Sequence, residues 1–96
     1  MPVAVQLDFK GGTLEMYDRV AEVIGLPAGG PGAPGGLFHW VAQTPDGLRV
    51  VDVWQDRATF ERFTQEHVGP SMAQAGVDLV PEITFYDVHN YHTAGA

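Results

Sequence analysis

Apolar and polar residues alternate from Pro2 to Phe9, with Val3, Val5, Leu7 and Phe9 on one side and Ala4, Gln6 and Asp8 on the other. That period of two predicts a half-buried strand. Gly11-Gly12 ends it, and the period then changes. Leu14, Tyr17, Ala21 and Ile24, widened by Val20, form the stripe of an amphipathic helix. Thr13 is its expected N-cap, Glu15 suits its first turn, and Gly25 followed by Pro27 stops it.

Two further alternating runs follow, Leu37–Thr44 and Leu48–Gln55. Leu48, Val50, Asp52 and Trp54 share one face of the second run, and Arg49, Val51, Val53 and Gln55 share the other. Between the runs stands Pro45-Asp46-Gly47, and Asp-Gly is a strong signal for a two-residue hairpin turn. With Asp46-Gly47 as that turn, Pro45 faces Leu48, Val41 faces Asp52 and His39 faces Trp54. His39 then joins the Asp52/Trp54 face; a one-residue slip would replace it by Phe38 and Trp40.

Asp56, with Thr59 on the expected N–H, opens a second helix running to about His67. Phe60, Phe63 and His67 fall on a single stripe of it. Gly69-Pro70 is expected to interrupt this helix, and Ser71–Ala75 adds a further turn or two before Gly76. Glu82–Tyr91 is β-branched and aromatic and reads as a fourth strand, leaving His92–Ala96 to fray. The segment Pro27–Gly36, PAGGPGAPGG, forms neither helix nor strand; it is a mobile connector or a lid.

The order strand, helix, strand, strand, helix, strand predicts an α+β chain, a ferredoxin-like βαββαβ subunit. Its four-stranded antiparallel sheet would carry both helices on one face. With 96 residues this is one domain, 1–96, with core enough to fold unaided. Five basic residues against twelve acidic ones give a net charge of −7. That excess of acid argues against a nucleic-acid partner, whose phosphate backbone is bound mainly through Lys and Arg, and disfavours an anionic membrane surface. The N-terminus has no basic leader, and no apolar run reaches the roughly 20 residues of a bilayer span. With no cysteine there are no disulfides, and a reducing cytoplasm is the expected compartment.

If the helices cover the Asp52/Trp54 face, the other face presents Phe38, Trp40, Ala42, Val51 and Val53. An apolar patch of that size predicts a homodimer through the sheet face.

The element order, the length, and the passage Val51-Asp52-Val53-Trp54-Gln55-Asp56 followed by Phe60 and Phe63 resemble the dimeric α+β barrel superfamily. Within it, the chain is most similar to the antibiotic biosynthesis monooxygenase-like proteins. The resemblance spans Val3 to Tyr91. It implies a dimeric barrel, a pocket between sheet and helices, and cofactor-free oxygenation of an aromatic or polyketide-like compound. It also admits haem-degrading enzymes and polyketide cyclases. His67-Val68-Gly69 resembles the segment that carries the general base of plant polyketide cyclases, which would make His67 the base, with Tyr17 a looser match for a partnering tyrosine.

Read from the residues, His67 is a candidate catalytic base near neutral pH, or a histidine bonding the last carbonyls of its helix. Asp52 either orients it, accepts a substrate hydroxyl, or pairs with Arg49 or Arg57. Tyr17, His39, Trp54, Phe60 and Phe63 are the candidate substrate-binding residues. No metal site is expected: His89 and His92 point to opposite faces of a strand, and a joint His39–His67–Asp52 site has no supporting spacing. A haem ligand from His67 or His89 stays open, but no cofactor is expected. Phosphate-binding glycine motifs and a Gly-x-Ser-x-Gly elbow are both absent. The expected activity is proton transfer to a base followed by oxygenation, cyclisation or isomerisation. The rival reading is a non-catalytic ligand-binding or stress-response module.

Overall fold

A computed structural model describes residues 1–96 except Ala28, Ala94 and Ala96. The chain runs β1 (Val3–Lys10), α1 (Leu14–Ile24), β2 (Gly36–Thr44), β3 (Gly47–Trp54), α2 (Arg57–Phe63), a π-helical turn (Thr64–Val68), α3 (Gly69–Ala75) and β4 (Glu82–Asp87). The strands form one antiparallel sheet in the order β2-β3-β1-β4. This is the α+β, ferredoxin-like arrangement that the element order predicts.

The helix boundaries follow their capping chemistry. Thr13 Oγ1 accepts from the Met16 N–H at 3.2 Å, and Asp56 Oδ1 accepts from the Thr59 N–H at 2.7 Å. Gly25 ends α1 at φ 88°, a left-handed conformation that costs glycine no Cβ clash.

Cross-strand partners share a face, so the register decides what meets what. Val5 and His39 flank Asp52 from the two neighbouring strands, and Leu7 and Val41 flank Val50. This face carries the core: Val5, Leu7, Val50 and Trp54 are buried with Phe60 of α2, and Tyr17, Phe63 and Phe85 pack against them. The opposite face pairs Phe38 with Val53 and Trp40 with Val51, beside Tyr86 of β4. There Phe38 is 50%, Trp40 41% and Tyr86 54% exposed.

Three expectations need correction. The β2–β3 turn is Pro45-Asp46, since Thr44 pairs with Gly47. Neither turn residue has positive φ, which the Asp-Gly type I′ turn requires. Proline's fixed φ instead suits the first central position of a type I turn, and Thr44 Oγ1 accepts the Gly47 N–H at 3.1 Å. The register therefore moves by two residues. Because two is one full side-chain period, His39 keeps its face but stands opposite Asp52, not Trp54.

Next, Gly69-Pro70 does not interrupt the second helix. The π turn widens the ladder just before Pro70, with the Gly69 N–H reaching the Thr64 carbonyl, and α3 continues from there. A proline that would clash with a tight preceding turn is accommodated by the wide one. Finally, β4 stops at Asp87, short of Tyr91. Asp87 pairs with Val3, the first residue of β1, so no neighbouring strand remains beyond it.

The Gly/Pro segment, expected as a connector or a lid, is tied down in its second half. Ala33 is buried in the core, and the Gln55 N–H bonds to the Gly35 carbonyl at 3.0 Å. Of the tail expected to fray, Ala94 and Ala96 lie outside the described residues.

Candidate active site

On the helix-covered face, four polar side chains from two strands and a helix form one hydrogen-bonded chain. Trp54 Nε1–H donates to Asp52 Oδ2 at 3.1 Å. Asp52 Oδ1 lies 2.5 Å from His39 Nδ1, and His39 Nε2 lies 2.6 Å from the Tyr17 hydroxyl. Each contact follows from local geometry. Asp52 and Trp54 are two apart on β3 and so point the same way. His39 is the cross-strand partner of Asp52, and Tyr17 leans from the first turns of α1 onto the imidazole, stacked at 5.9 Å with an 18° tilt.

The proton positions follow from donor capacity. An ionised carboxylate can only accept, so the Nδ1 of His39 carries the proton facing Asp52. In the neutral ring Nε2 is then the acceptor, and the Tyr17 O–H donates to it. Burial, helped by the negative charges of Asp52 and Asp18, pushes the Tyr17 phenol above its ordinary pKa, which keeps it a donor. Asp52 is buried, whereas the His39 side chain is 44% exposed, so the chain of bonds runs from the core to the surface. The arrangement can take a proton at Nε2 and set the resulting positive charge against a fixed carboxylate.

The expected site residues divide into two groups. Asp52, His39, Tyr17 and Trp54 come together. Asp52 pairs with neither arginine: Arg49 bonds Asp8 at 2.7 Å and Arg57 bonds Glu61 at 2.8 Å. Phe60 and Phe63 pack directly onto the Trp54 indole, at ring-centroid distances of 6.0 and 5.3 Å, instead of standing back around a hollow. With the indole 4% exposed, it has no open face for a flat ligand. His67 does not share the compartment of Asp52. Its residue is exposed, and its ring rests 5.2 Å from that of Phe63, which fills the space between it and Trp54.

Two shallow surface clefts, one along Arg57, Glu61 and Gln65 and one along Met72, Val77 and Leu79, contain none of the four. Among the described residues no group of three or more His, Asp or Glu side chains is placed to hold a metal ion. What sequence reasoning missed was the partnership of His39 with Asp52. The available signal was Pro45, whose preferred turn position sets the register.

No protein-family model matches the sequence, and a search of curated proteins finds no relative. Solved structures do resemble it over nearly its whole length. A candidate antibiotic biosynthesis monooxygenase from Chloroflexus aurantiacus J-10-fl superposes with a TM-score of 0.67 at 18% identity, covering 99% of this chain and 100% of that one. SnoaB, a cofactor-independent oxygenase from Streptomyces nogalater, gives 0.62 at 18% identity, covering 94% and 95%. A candidate protein of the same description from Deinococcus radiodurans gives 0.57 at 12%, with both chains covered entirely. The chain has the fold of the antibiotic biosynthesis monooxygenase-like proteins. In that fold, the Tyr17–His39–Asp52–Trp54 chain lies where the helical layer meets the edge strand β2. No helix is long and apolar enough to cross a membrane among the described residues.

Proposed function

We propose that this protein is a cofactor-independent oxygenase for an electron-rich phenolic or polyketide-like aromatic compound, with His39 as the general base. The carrying observation is the bond chain from Asp52 through His39 to the Tyr17 hydroxyl. Asp52 holds the imidazole with Nε2 free of its proton and stabilises the imidazolium formed when substrate is deprotonated. Tyr17 stands at that nitrogen and passes on, or gives way to, the proton of a substrate hydroxyl. SnoaB, a cofactor-independent oxygenase of the same fold, supports the same reading.

Dioxygen is the only co-reactant. Loss of a proton gives a delocalised carbanion or phenolate that reduces O2. A ring CH2 becomes C=O, and the second oxygen atom leaves as water with the two hydrogens. The substrate supplies all the electrons. His67, on the outer side of Phe63, has no part in these steps.

The open sheet face supports a homodimer. Burying Phe38, Trp40 and Tyr86 against a second copy removes apolar area from water at roughly 25 cal/mol per Å².

The test is oxygen uptake and quinone absorbance with a hydroxylated anthrone as probe, under 18O2, for the wild type and His39→Gln. Label in the new carbonyl that disappears in the variant supports the reading. Equal turnover by both proteins sinks it. Conversion that persists without oxygen points to cyclisation or isomerisation, and no conversion with retained probe binding points to a binding module.

A further inference from the structure

Asp52 lies on the core side of the sheet with Val5, fully buried, as its partner on one neighbouring strand and His39 on the other. A carboxylate there has few ways to satisfy two oxygens. Oδ1 faces the imidazole. Oδ2 is met by the indole N–H, the one polar atom of a side chain otherwise wholly in the core.

The indole itself has little freedom to turn. Phe60 meets it edge-on, with ring planes at 65°, and Phe63 lies tilted over it at 39°. The Gly/Pro segment closes the far edge: a Cβ at Gly36 would lie 3.8 Å from Cη2 and Cζ3, the atoms remote from the N–H. The ring is thus clamped at its apolar end and aimed at its polar end.

We propose that Trp54 is a positioning residue: its N–H fixes the rotamer of Asp52, and through it the tautomer of His39. Without that bond, Oδ2 is a buried acceptor lacking its donor, which carries a desolvation penalty. The carboxylate relieves it by turning, and the geometry at Oδ1 is lost with it. His39 then no longer has a reason to keep its proton on Nδ1, and Nε2 ceases to be the standing acceptor toward Tyr17. An indole, unlike another ring of similar bulk, brings an N–H to Oδ2 in this part of the core. It rests on the oxygenase reading only for its purpose, because the tautomer is measured without substrate.

The experiment uses the full chain, uniformly 15N-labelled, and reads the imidazole nitrogens of His39 by long-range proton–nitrogen correlation above the range in which histidine protonates. The wild type is expected to give a dominant Nδ1–H tautomer. Trp54→Phe is expected to shift both nitrogen resonances toward the averaged values of a free side chain. Should Trp54→Phe fail to fold, replacement of Trp54 by its benzothienyl isostere, with sulfur in place of N–H, keeps the ring volume and must give the same shift. An unchanged Nδ1–H signature in the folded variant or in the isostere overturns the proposal. A shifted tautomer in a protein without oxygenase activity leaves the positioning role standing and removes only the oxygenase reading.

Discussion

His39 and Asp52 are direct cross-strand partners, and their side chains meet at 2.5 Å with the carboxylate buried and the imidazole half in water. The ladder of β2 on β3 sets the two residues opposite one another, on the same face of the sheet.

His39→Gln is expected to leave the far-ultraviolet circular dichroism unchanged and to lower turnover of an accepted phenolic substrate by roughly 10²- to 10⁴-fold, the usual contribution of a positioned base. The side chain is 44% exposed, so its loss leaves no large cavity. Steady-state kinetics on the folded variant checks both halves.

Tyr17 is expected to ionise at a higher pH than an ordinary phenol. Its folded pKa is raised by burial and then by Asp52, so the folded state keeps a proton that the unfolded state gives up near pH 10. Stability associated with this group is complete below that pH and declines as pH rises through the folded value. An absorbance titration at alkaline pH should show a late phenol that vanishes in Tyr17→Phe, and any stability margin of wild type over the variant should shrink as pH rises through the folded value.

Gly47→Ala is expected to be severely destabilising. A Cβ there would fall 2.0 Å from the Phe9 carbonyl oxygen and 2.8 Å from the Gly11 nitrogen, both backbone atoms that cannot swing aside. Overpacking against backbone should cost about 3 kcal/mol or more. For a domain of this size that lowers the melting temperature by on the order of 15 °C. Differential scanning calorimetry measures it.

Asp56→Ala should lower the thermal midpoint at neutral pH, whereas Asp56→Asn, an equally good cap, should stay close to wild type. The hydroxyl and N–H of Thr59 hold the Asp56 carboxyl below its ordinary pKa. The ionised form's contribution is therefore present above the ordinary carboxylate pKa and disappears as pH falls through the lowered one. Melting curves in acid should show the wild type losing its margin over Asp56→Ala.

Trp40→Lys tests the open sheet face. Light scattering should give about twice the 10.4 kDa chain mass for the wild type. The variant should give the single-chain mass with its fold intact, because a buried lysine charge in the middle of the interface is not compensated. A single-chain mass for the wild type removes the dimer.

The order of elements, the two N-caps and the split of β1 and β3 into two faces were legible in the chain itself. These depend on periods of two and of about 3.6 residues and on capping residues within a turn of one another, all local properties. The residues of the polar chain were legible too, as Tyr17, His39, Asp52 and Trp54, but not their partnership. Only the tertiary structure decided that His39 belongs to Asp52, because Pro45 takes over the turn and slides the ladder by one full side-chain period. It also decided that His67 stays outside. A helical stripe says which residues lie on one side; it does not say that Phe63 will fill the space between that histidine and the indole. Faces are written in the sequence by chain geometry, while contacts across them await the register and the packing of side chains far apart in the chain.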